Sequence, residues 1–228
     1  MKIEIIANRE EDDAGLVVAA LDSEGPVVTF RYREEPRSWN ADSRPDLVVS
    51  LGSSWSVYWN HISTNVDAEA AFLRYSIGRG VPYLGICYGA QMLSLASGGR
   101  VERGKTSEIG WHSVTSTEVS LPLSGRWMQW HYDCFSAPLG FDTLAINDAG
   151  IQAIRKGRSL GVQFHPEATE AIVTRWMAGD GAAELAAAGL SPLTLLEETR
   201  REVTRTPQAT SALVRWFLDG VAQSPFLA

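Results

Sequence analysis

Val81-Pro-Tyr-Leu-Gly-Ile-Cys-Tyr-Gly-Ala-Gln91 is the stretch on which the reading of this chain turns. Residues 83–86 are a short apolar run that ends at Cys87, and the residues after it have helical character. Gly85 and Gly89 stand two positions either side of the cysteine. This is the strand–turn–helix pattern of a nucleophile elbow, with sulfur where serine is more familiar. The glycines have a steric reason. A nucleophile at the tip of such a turn is held in a strained conformation, and a Cβ at either flanking position meets crossing backbone. The turn also sets Cys87 at a helix N-terminus, where the dipole and free N–H groups favour a thiolate. A buried cysteine ending a core strand is the plainer alternative, and the stretch alone does not separate the two.

The segments before the elbow point to a parallel sheet. Strands are expected at 2–7, 27–32 and 46–52, with helical periodicity at 14–21 and 66–77 and a polar, proline-containing loop at 33–44. Strands alternating with helices argue for a parallel sheet covered on both faces. Such sheets bind ligands at the carboxyl ends of their strands, where Gly52 and Cys87 both fall. Residues 90–96 read as an apolar helix stopped by Gly98-Gly99. The pattern then changes to shorter strands at 110–119, 127–135, 143–146, 151–155 and 159–164, which suggests antiparallel ribbons added to the sheet. From Ala168 the chain reads as helices at 170–177, 181–188, 193–203 and 209–221, broken at Gly189, Pro192 and Pro207. The alanines of 178–188 read as helix propensity and close packing. The expected architecture is α/β: a mostly parallel, helix-covered, flavodoxin-like sheet with added antiparallel strands and a helical C-terminal extension. The expected division is an α/β domain over 1–167 and a helical extension over 168–228 packed on it.

Composition narrows the classes. The 228 residues are 45% hydrophobic, enough for a full core. The net charge of −7, with no basic run, argues against nucleic acid as a partner. No apolar run is long enough to span a bilayer, so no membrane partner is expected. The first residues enter a strand without a signal-peptide layout, and a cytoplasmic location is expected. Cys87 and Cys134 are the only cysteines, which is no disulfide framework. Cys134 reads as a small core residue. No metal-ligand cluster and no lysine-bearing phosphate loop stand out, so no cofactor is expected.

A cysteine nucleophile needs a histidine to take its proton and a third group to orient that histidine. Of the four histidines, His61 and His112 read as structural, and His131, among aromatics in Gln129-Trp-His-Tyr-Asp133, reads equally as pocket lining or structural. His165 ends the apolar run Gly161-Val-Gln-Phe, where a parallel sheet presents it beside Cys87. Pro166 stiffens the chain after it, and Glu167 is close enough to reach back to the imidazole.

Gly85-Ile-Cys-Tyr-Gly-Ala-Gln91 and Gly161-Val-Gln-Phe-His-Pro-Glu167 together resemble the two signatures of the class I, triad-type glutamine amidotransferases. Glu108-Ile-Gly-Trp111 and Gln129-Trp-His-Tyr-Asp133 resemble elements of the branch related to the amidotransferase domain of GMP synthetase, and the helical tail resembles stand-alone members. The resemblance implies a catalytic triad of Cys87, His165 and Glu167 that releases ammonia from glutamine through a γ-glutamyl thioester. It implies an oxyanion hole from the N–H groups of Tyr88 and Ser53, the latter in the turn 51–57. Two positions depart from the family pattern there: serines stand where a second glycine and a proline are usual. It further implies substrate contacts at Gly52, Gln91, Trp130, His131 and Tyr132, with Tyr132 in place of a glycine. The implied partners are glutamine or another γ-glutamyl compound, and a separate synthase. Hydrolysis of γ-glutamyl peptides or γ-glutamyl amines, or a non-catalytic regulatory role, are the alternatives.

Overall fold

The computed structural model describes residues 1–21, 25–39 and 43–225. Of the expected 33–44 loop, residues 40–42 lie outside the described residues. The first half alternates: β1 (Lys2–Ala7), α1 (Gly15–Leu21), β2 (Val27–Tyr32), β3 (Leu47–Ser50), α2 (Ser63–Gly78), β4 (Tyr83–Ile86) and α3 (Tyr88–Ala96). A run of strands follows: β5 (Val101–Ser116), β6 (Gly125–Phe135), β7 (Asp142–Asn147), β8 (Gly150–Lys156) and β9 (Ser159–Val162). Four helices end the chain: α4 (Glu170–Trp176), α5 (Asp180–Ala187), α6 (Pro192–Glu202) and α7 (Thr206–Trp216), the last continued by a π-helical turn over Phe217–Val221.

The described strands form one sheet in the order β2-β1-β3-β4-β9-β8-β7-β5-β6. Pairing is parallel from β2 through β1, β3 and β4 to β9, and antiparallel from β9 onward. This is the expected mixed α/β sheet. Its central strands β3, β4 and β9 are buried at every residue, as strands covered on both faces must be. On one face Val17, Leu21, Leu213 and Phe217 of α1 and the last helix pack on Ile3, Ile5, Val49 and Ile86. On the other, Phe72 and Leu73 of α2 and Met92 and Leu93 of α3 pack on Ile6, Val48 and Tyr83. Each such buried side chain contributes roughly 1.5–3 kcal/mol by leaving water. Among the described residues no helix is long and apolar enough to cross a membrane.

Two strand expectations shift. The expected strand 110–119 begins at Val101 and ends at Ser116, with Val119 fully exposed. Residues 101–108 lack apolar alternation because they form a half-exposed ribbon held by pairing with β6, across a register shift between Arg103 and Glu108. The expected strand 159–164 stops at Val162, because the chain bends at Gln163 and Phe164 to bring His165 against β6.

The glycines of the elbow are required by close approach. A Cβ on Gly85 would lie 2.6 Å from the carbonyl of Gly89, and one on Gly89 would lie 2.2 Å from the carbonyl oxygen of Ser50. Backbone cannot yield there as a flexible side chain could. Gly89→Ala is expected to lose about 2–3 kcal/mol or more of stability in a urea melt. Gly78→Ala, at an open helical position, is expected to gain up to ~1 kcal/mol. A Gly89→Ala protein as stable as wild type would show that α3 does not need this contact to seat on β3.

Candidate active site

Cys87 lies between β4 and α3 with φ 50° and ψ −106°, the only positive φ at a non-glycine residue among those described. Such a conformation costs about 1–3 kcal/mol and persists only when its surroundings hold it. The holding groups are backbone. The Cys87 N–H donates to the carbonyl of Val162 on β9 at 2.8 Å, and its own carbonyl accepts from the Gln91 N–H at 3.0 Å, the first bond of the helix. The thiol is 4% exposed.

His165 reaches the same place from the end of the neighbouring parallel strand, β9. After the bend, its N–H donates to the carbonyl of Met128 on β6 at 2.8 Å. Phe164 stacks on Trp127 with ring centroids 4.7 Å apart, anchoring the bend in the core. Glu167 does reach back: its Oε1 lies 2.7 Å from His165 Nδ1, and both side chains are buried. The backbone of Glu167 is held in turn by α1, where the Leu16 N–H donates to its carbonyl at 3.2 Å. Trp176 of α4 closes over the imidazole edge-on at 4.6 Å. Burial alone would lower the pKa of His165, but the Glu167 carboxylate and the neighbouring Cys87 outweigh it and raise it to about 10. His165 Nε2 and Glu167 Oε2 are buried with no hydrogen-bond partner. With Nδ1 held by Glu167, Nε2 is the nitrogen left for chemistry.

Gly52 marks the meeting point. A Cβ placed there would lie 2.8 Å from His165 Cε1 and 3.6 Å from the Cβ of Cys87. The turn after β3, the elbow and the His-Pro-Glu segment therefore converge within contact distance. Ser53 follows Gly52 on the wall of the same cavity, its Oγ accepting from the Trp55 N–H at 3.1 Å. Tyr88 is the first residue of α3, so its N–H has no partner within the helix. Its side chain points away from the cavity into the core.

The cavity measures about 1300 Å³, and Gly52, Ser53, Cys87, Gln91, Trp130, His131, Tyr132, His165 and Glu167 all line it. Gln91 is buried rather than on a helix surface, with Nε2 3.5 Å from Gln163 Oε1. His131 resolves as both pocket lining and structural: its ring nitrogens face the Asp133 carbonyl at 3.0 Å and Glu108 Oε2 at 3.1 Å. Burial opposes ionisation of Glu108, but hydrogen bonds from His131 and Asn147 hold its carboxyl below the usual range. Trp130 Nε1 donates to Glu184 of α5 at 2.5 Å. Tyr132 lies under the Arg103 guanidinium, 4.6 Å from its ring centre. His61 stacks on Trp59 away from the cavity, and His112 bonds to the Ile109 carbonyl at 3.2 Å. Cys134 is half-buried rather than a core residue, because it lies on the half-exposed ribbon.

Several groups in and around the cavity were not legible in the sequence. Gln163 Nε2 lies 3.4 Å from Cys87 Sγ, although nothing but its place before His165 marks it. Ser56 Oγ and Tyr58 OH donate to the Asp133 carboxylate at 2.5 and 2.7 Å, tying the turn after β3 to β6. The alanine-rich stretch is more than packing, since Ala178, Gly179, Asp180, Gly181 and Glu184 form one cavity wall. Gly181 sits against Trp176, whose carbonyl oxygen would lie 1.7 Å from a Cβ there. Among the described residues no group of three or more His, Cys, Asp or Glu could hold a metal ion.

Comparison with known proteins agrees with this layout. The family model for glutamine amidotransferase class-I matches residues 19–174. The GMP synthase [glutamine-hydrolyzing] of Synechocystis sp. is 39% identical over 139 residues, 57% of this chain and 24% of that protein. That of Pyrobaculum aerophilum is 47% identical over 94 residues, 38% of this chain and 18% of that protein. The chain thus matches about a quarter or less of the length of these curated relatives. Its fold matches the crystal structure of a glutamine amidotransferase from Thermotoga maritima with a TM-score of 0.84 at 26% identity, over 98% of this chain and 99% of that one. A glutamine amido transferase from Methylobacillus flagellatus shares the fold at 20% identity, with a TM-score of 0.80 over 98% and 95% of the two chains. The structural matches extend through the C-terminal helices, beyond the segment that the family model covers. With two thirds of its length matched by that model, and the elbow and the His-Pro-Glu segment brought together in one cavity, the chain belongs to the class-I glutamine amidotransferase family.

Proposed function

We propose that the protein hydrolyses a γ-carboxamide, with glutamine as the reference substrate, through Cys87, His165 and Glu167. The observation that carries this reading is the strained Cys87 turn beside a histidine whose Nδ1 is held by a buried carboxylate at 2.7 Å. His165 takes the thiol proton, and Cys87 Sγ attacks the amide carbon. The N–H groups of Tyr88 and Ser53 stabilise the oxyanion of the tetrahedral intermediate. Collapse of that intermediate breaks the C–N bond, and His165 protonates the departing ammonia. Water then attacks the γ-glutamyl thioester, giving up a proton to His165, and the thiol is restored. The elevated basicity of His165 serves the first step. Acylation removes the charge at sulfur that helps hold the proton, so the imidazolium becomes a better donor when the leaving group needs one. Gly52, Gln91, Trp130, His131 and Tyr132 form the substrate's surroundings.

A second reading keeps the chemistry and changes the amine. The cavity is far larger than glutamine requires, and its lining includes Glu10, Asp12, Glu34, Asp180 and Glu184. The two arginines in that lining, Arg9 and Arg175, are each engaged by a carboxylate, Glu35 and Asp13, and Arg103 stands behind Tyr132, so carboxylates outnumber arginines around the cavity. An excess of carboxylates in the lining favours a γ-glutamyl amine with a cationic tail over free glutamine. The two readings part on one assay of turnover of glutamine, a γ-glutamyl monoamine and a γ-glutamyl diamine. A kcat/KM for the diamine at least about tenfold above that for the monoamine supports the second reading, since one ionic contact is worth roughly that factor. A preference for glutamine supports the first, with a separate synthase as recipient of the ammonia; a rise in rate on adding such a partner would extend it. Turnover of none of the three defeats both.

A further inference from the structure

The most heavily bonded side chain near the site is one that touches neither the cavity nor any reacting atom. Arg33 follows β2 directly and is 1% exposed. Its Nε donates to Glu69 Oε2 of α2 at 2.8 Å, and Nη1 donates to Asn8 Oδ1 at 2.9 Å, just after β1. Nη2 donates to Ser50 Oγ and to the Leu51 carbonyl, both at 2.9 Å, and Nη1 donates to the Gly52 carbonyl at 3.2 Å. Ser50 Oγ in turn donates to Glu69 Oε1 at 2.8 Å. A buried ion pair is weak evidence for stability, because desolvation cancels much of the attraction and apolar replacements do as well. What this pair supplies is geometry, a rigid fork that binds the ends of three adjacent strands at once.

Two of its contacts fall on the groups proposed to hold the oxyanion. Among the described residues no peptide bond is cis, and in a trans peptide the carbonyl and the following N–H point in opposite directions. With the Gly52 carbonyl turned toward Arg33, the Ser53 N–H is turned away from it. A Cβ on Gly52 would lie 2.8 Å from His165 and 3.6 Å from Cys87, which sets this peptide beside the reacting atoms. The same guanidinium lies over the ring of Tyr88, the residue proposed to supply the second N–H, 4.6 Å from the ring centre. The serine-rich turn lacks the proline that would stiffen it from within, and an external support takes on that task.

We propose that Arg33, held by Glu69, is the positioning residue of the oxyanion hole, orienting the Gly52–Ser53 peptide and bracing Tyr88. This rests on the amide-hydrolysis reading above, with a structural arm that does not. In the Arg33→Met/Glu69→Gln double variant, which leaves no buried charge unpaired, kcat on the best γ-glutamyl substrate is expected to fall about 10²–10³-fold, the effect of losing one oxyanion donor. KM is expected to stay within about threefold, because the hole acts on the transition state. Alkylation of Cys87 by iodoacetamide forms no oxyanion and is expected to stay within about twofold of wild type. Arg33→Lys keeps the charge and loses the fork, and an intermediate kcat is expected; it also serves should the double variant not fold. A crystal structure of whichever variant folds is expected to show the Gly52–Ser53 peptide rotated. An unchanged kcat, alkylation falling in step with kcat, or a Gly52 carbonyl still in its wild-type orientation would each overturn the proposal. Absence of γ-glutamyl hydrolysis by the wild-type protein would defeat the functional reading instead, and the peptide orientation would still decide the role of Arg33.

Discussion

Cys87→Ala is expected to lower amide hydrolysis by at least about 10⁴-fold while leaving the protein folded. The size follows from the chemistry. On the proposed mechanism no thioester forms without sulfur, and the rest of the site retains only the residual catalysis of an oriented pocket. The fold has little reason to respond. One atom is removed from a small, 4% exposed side chain, and alanine meets the same positive φ that cysteine already tolerates. A Tm within about 4 °C of wild type is expected, equivalent to roughly 1 kcal/mol for a domain of this size. Ammonia or amine release and thermal melts on the same preparation check both halves. Retention of more than about one per cent of the wild-type rate would remove Cys87 from the reaction.

The second large effect belongs to Glu167. Glu167→Gln is expected to reduce kcat by about 10²–10⁴-fold, because an amide holds His165 less firmly and can select the wrong tautomer. A pH signature accompanies it. Burial lowers the pKa of His165, and Glu167 is the first of the groups that overcome burial and lift it to about 10. A histidine raised in the folded state binds its proton more tightly there than in the unfolded chain, whose pKa is about 6.5. The stabilisation is therefore complete below about pH 6.5 and is lost as pH climbs toward 10. The wild-type Tm is expected to decline across that interval more steeply than that of Glu167→Gln. Equal alkaline slopes for the two proteins would show that Glu167 is not what holds the imidazolium.

The parts of the site that could be read in advance share a property: their geometry is local. Gly85, Cys87 and Gly89 are two residues apart, and the steric demand of a strand turning into a helix acts over that distance. His165 and Glu167 are likewise two residues apart, close enough for the carboxylate to reach the ring once Pro166 stiffens the link. The strands of the parallel half were legible for a related reason. The apolar runs 2–7 and 83–86 are buried almost throughout, and their bounds match the expectation; the bounds 27–32 match as well, although that edge strand is largely exposed and is marked by its β-branched and aromatic residues. The ribbon at 101–108 was missed because it is half-exposed, where residue choice is weakly constrained.

What escaped the sequence is what depends on chain segments meeting. Arg33 and Glu69 are 36 residues apart, and Ser56 and Asp133 are 77 apart. Nothing in either local stretch tells a solvated charge from a buried strut. Asp180, Gly181 and Glu184 looked like part of an ordinary alanine-rich helix until α5 was seen to form a cavity wall. The sequence by itself determined the strand-to-helix turn at Cys87, the His-Pro-Glu segment and the parallel half of the sheet, since backbone sterics and strand periodicity leave their marks within a few residues. The tertiary structure alone decided which polar groups stand behind the site, how large its cavity is and that carboxylates predominate in its lining. These depend on the burial and juxtaposition of residues far apart in the chain, and such contacts exist only once the sheet has closed around them.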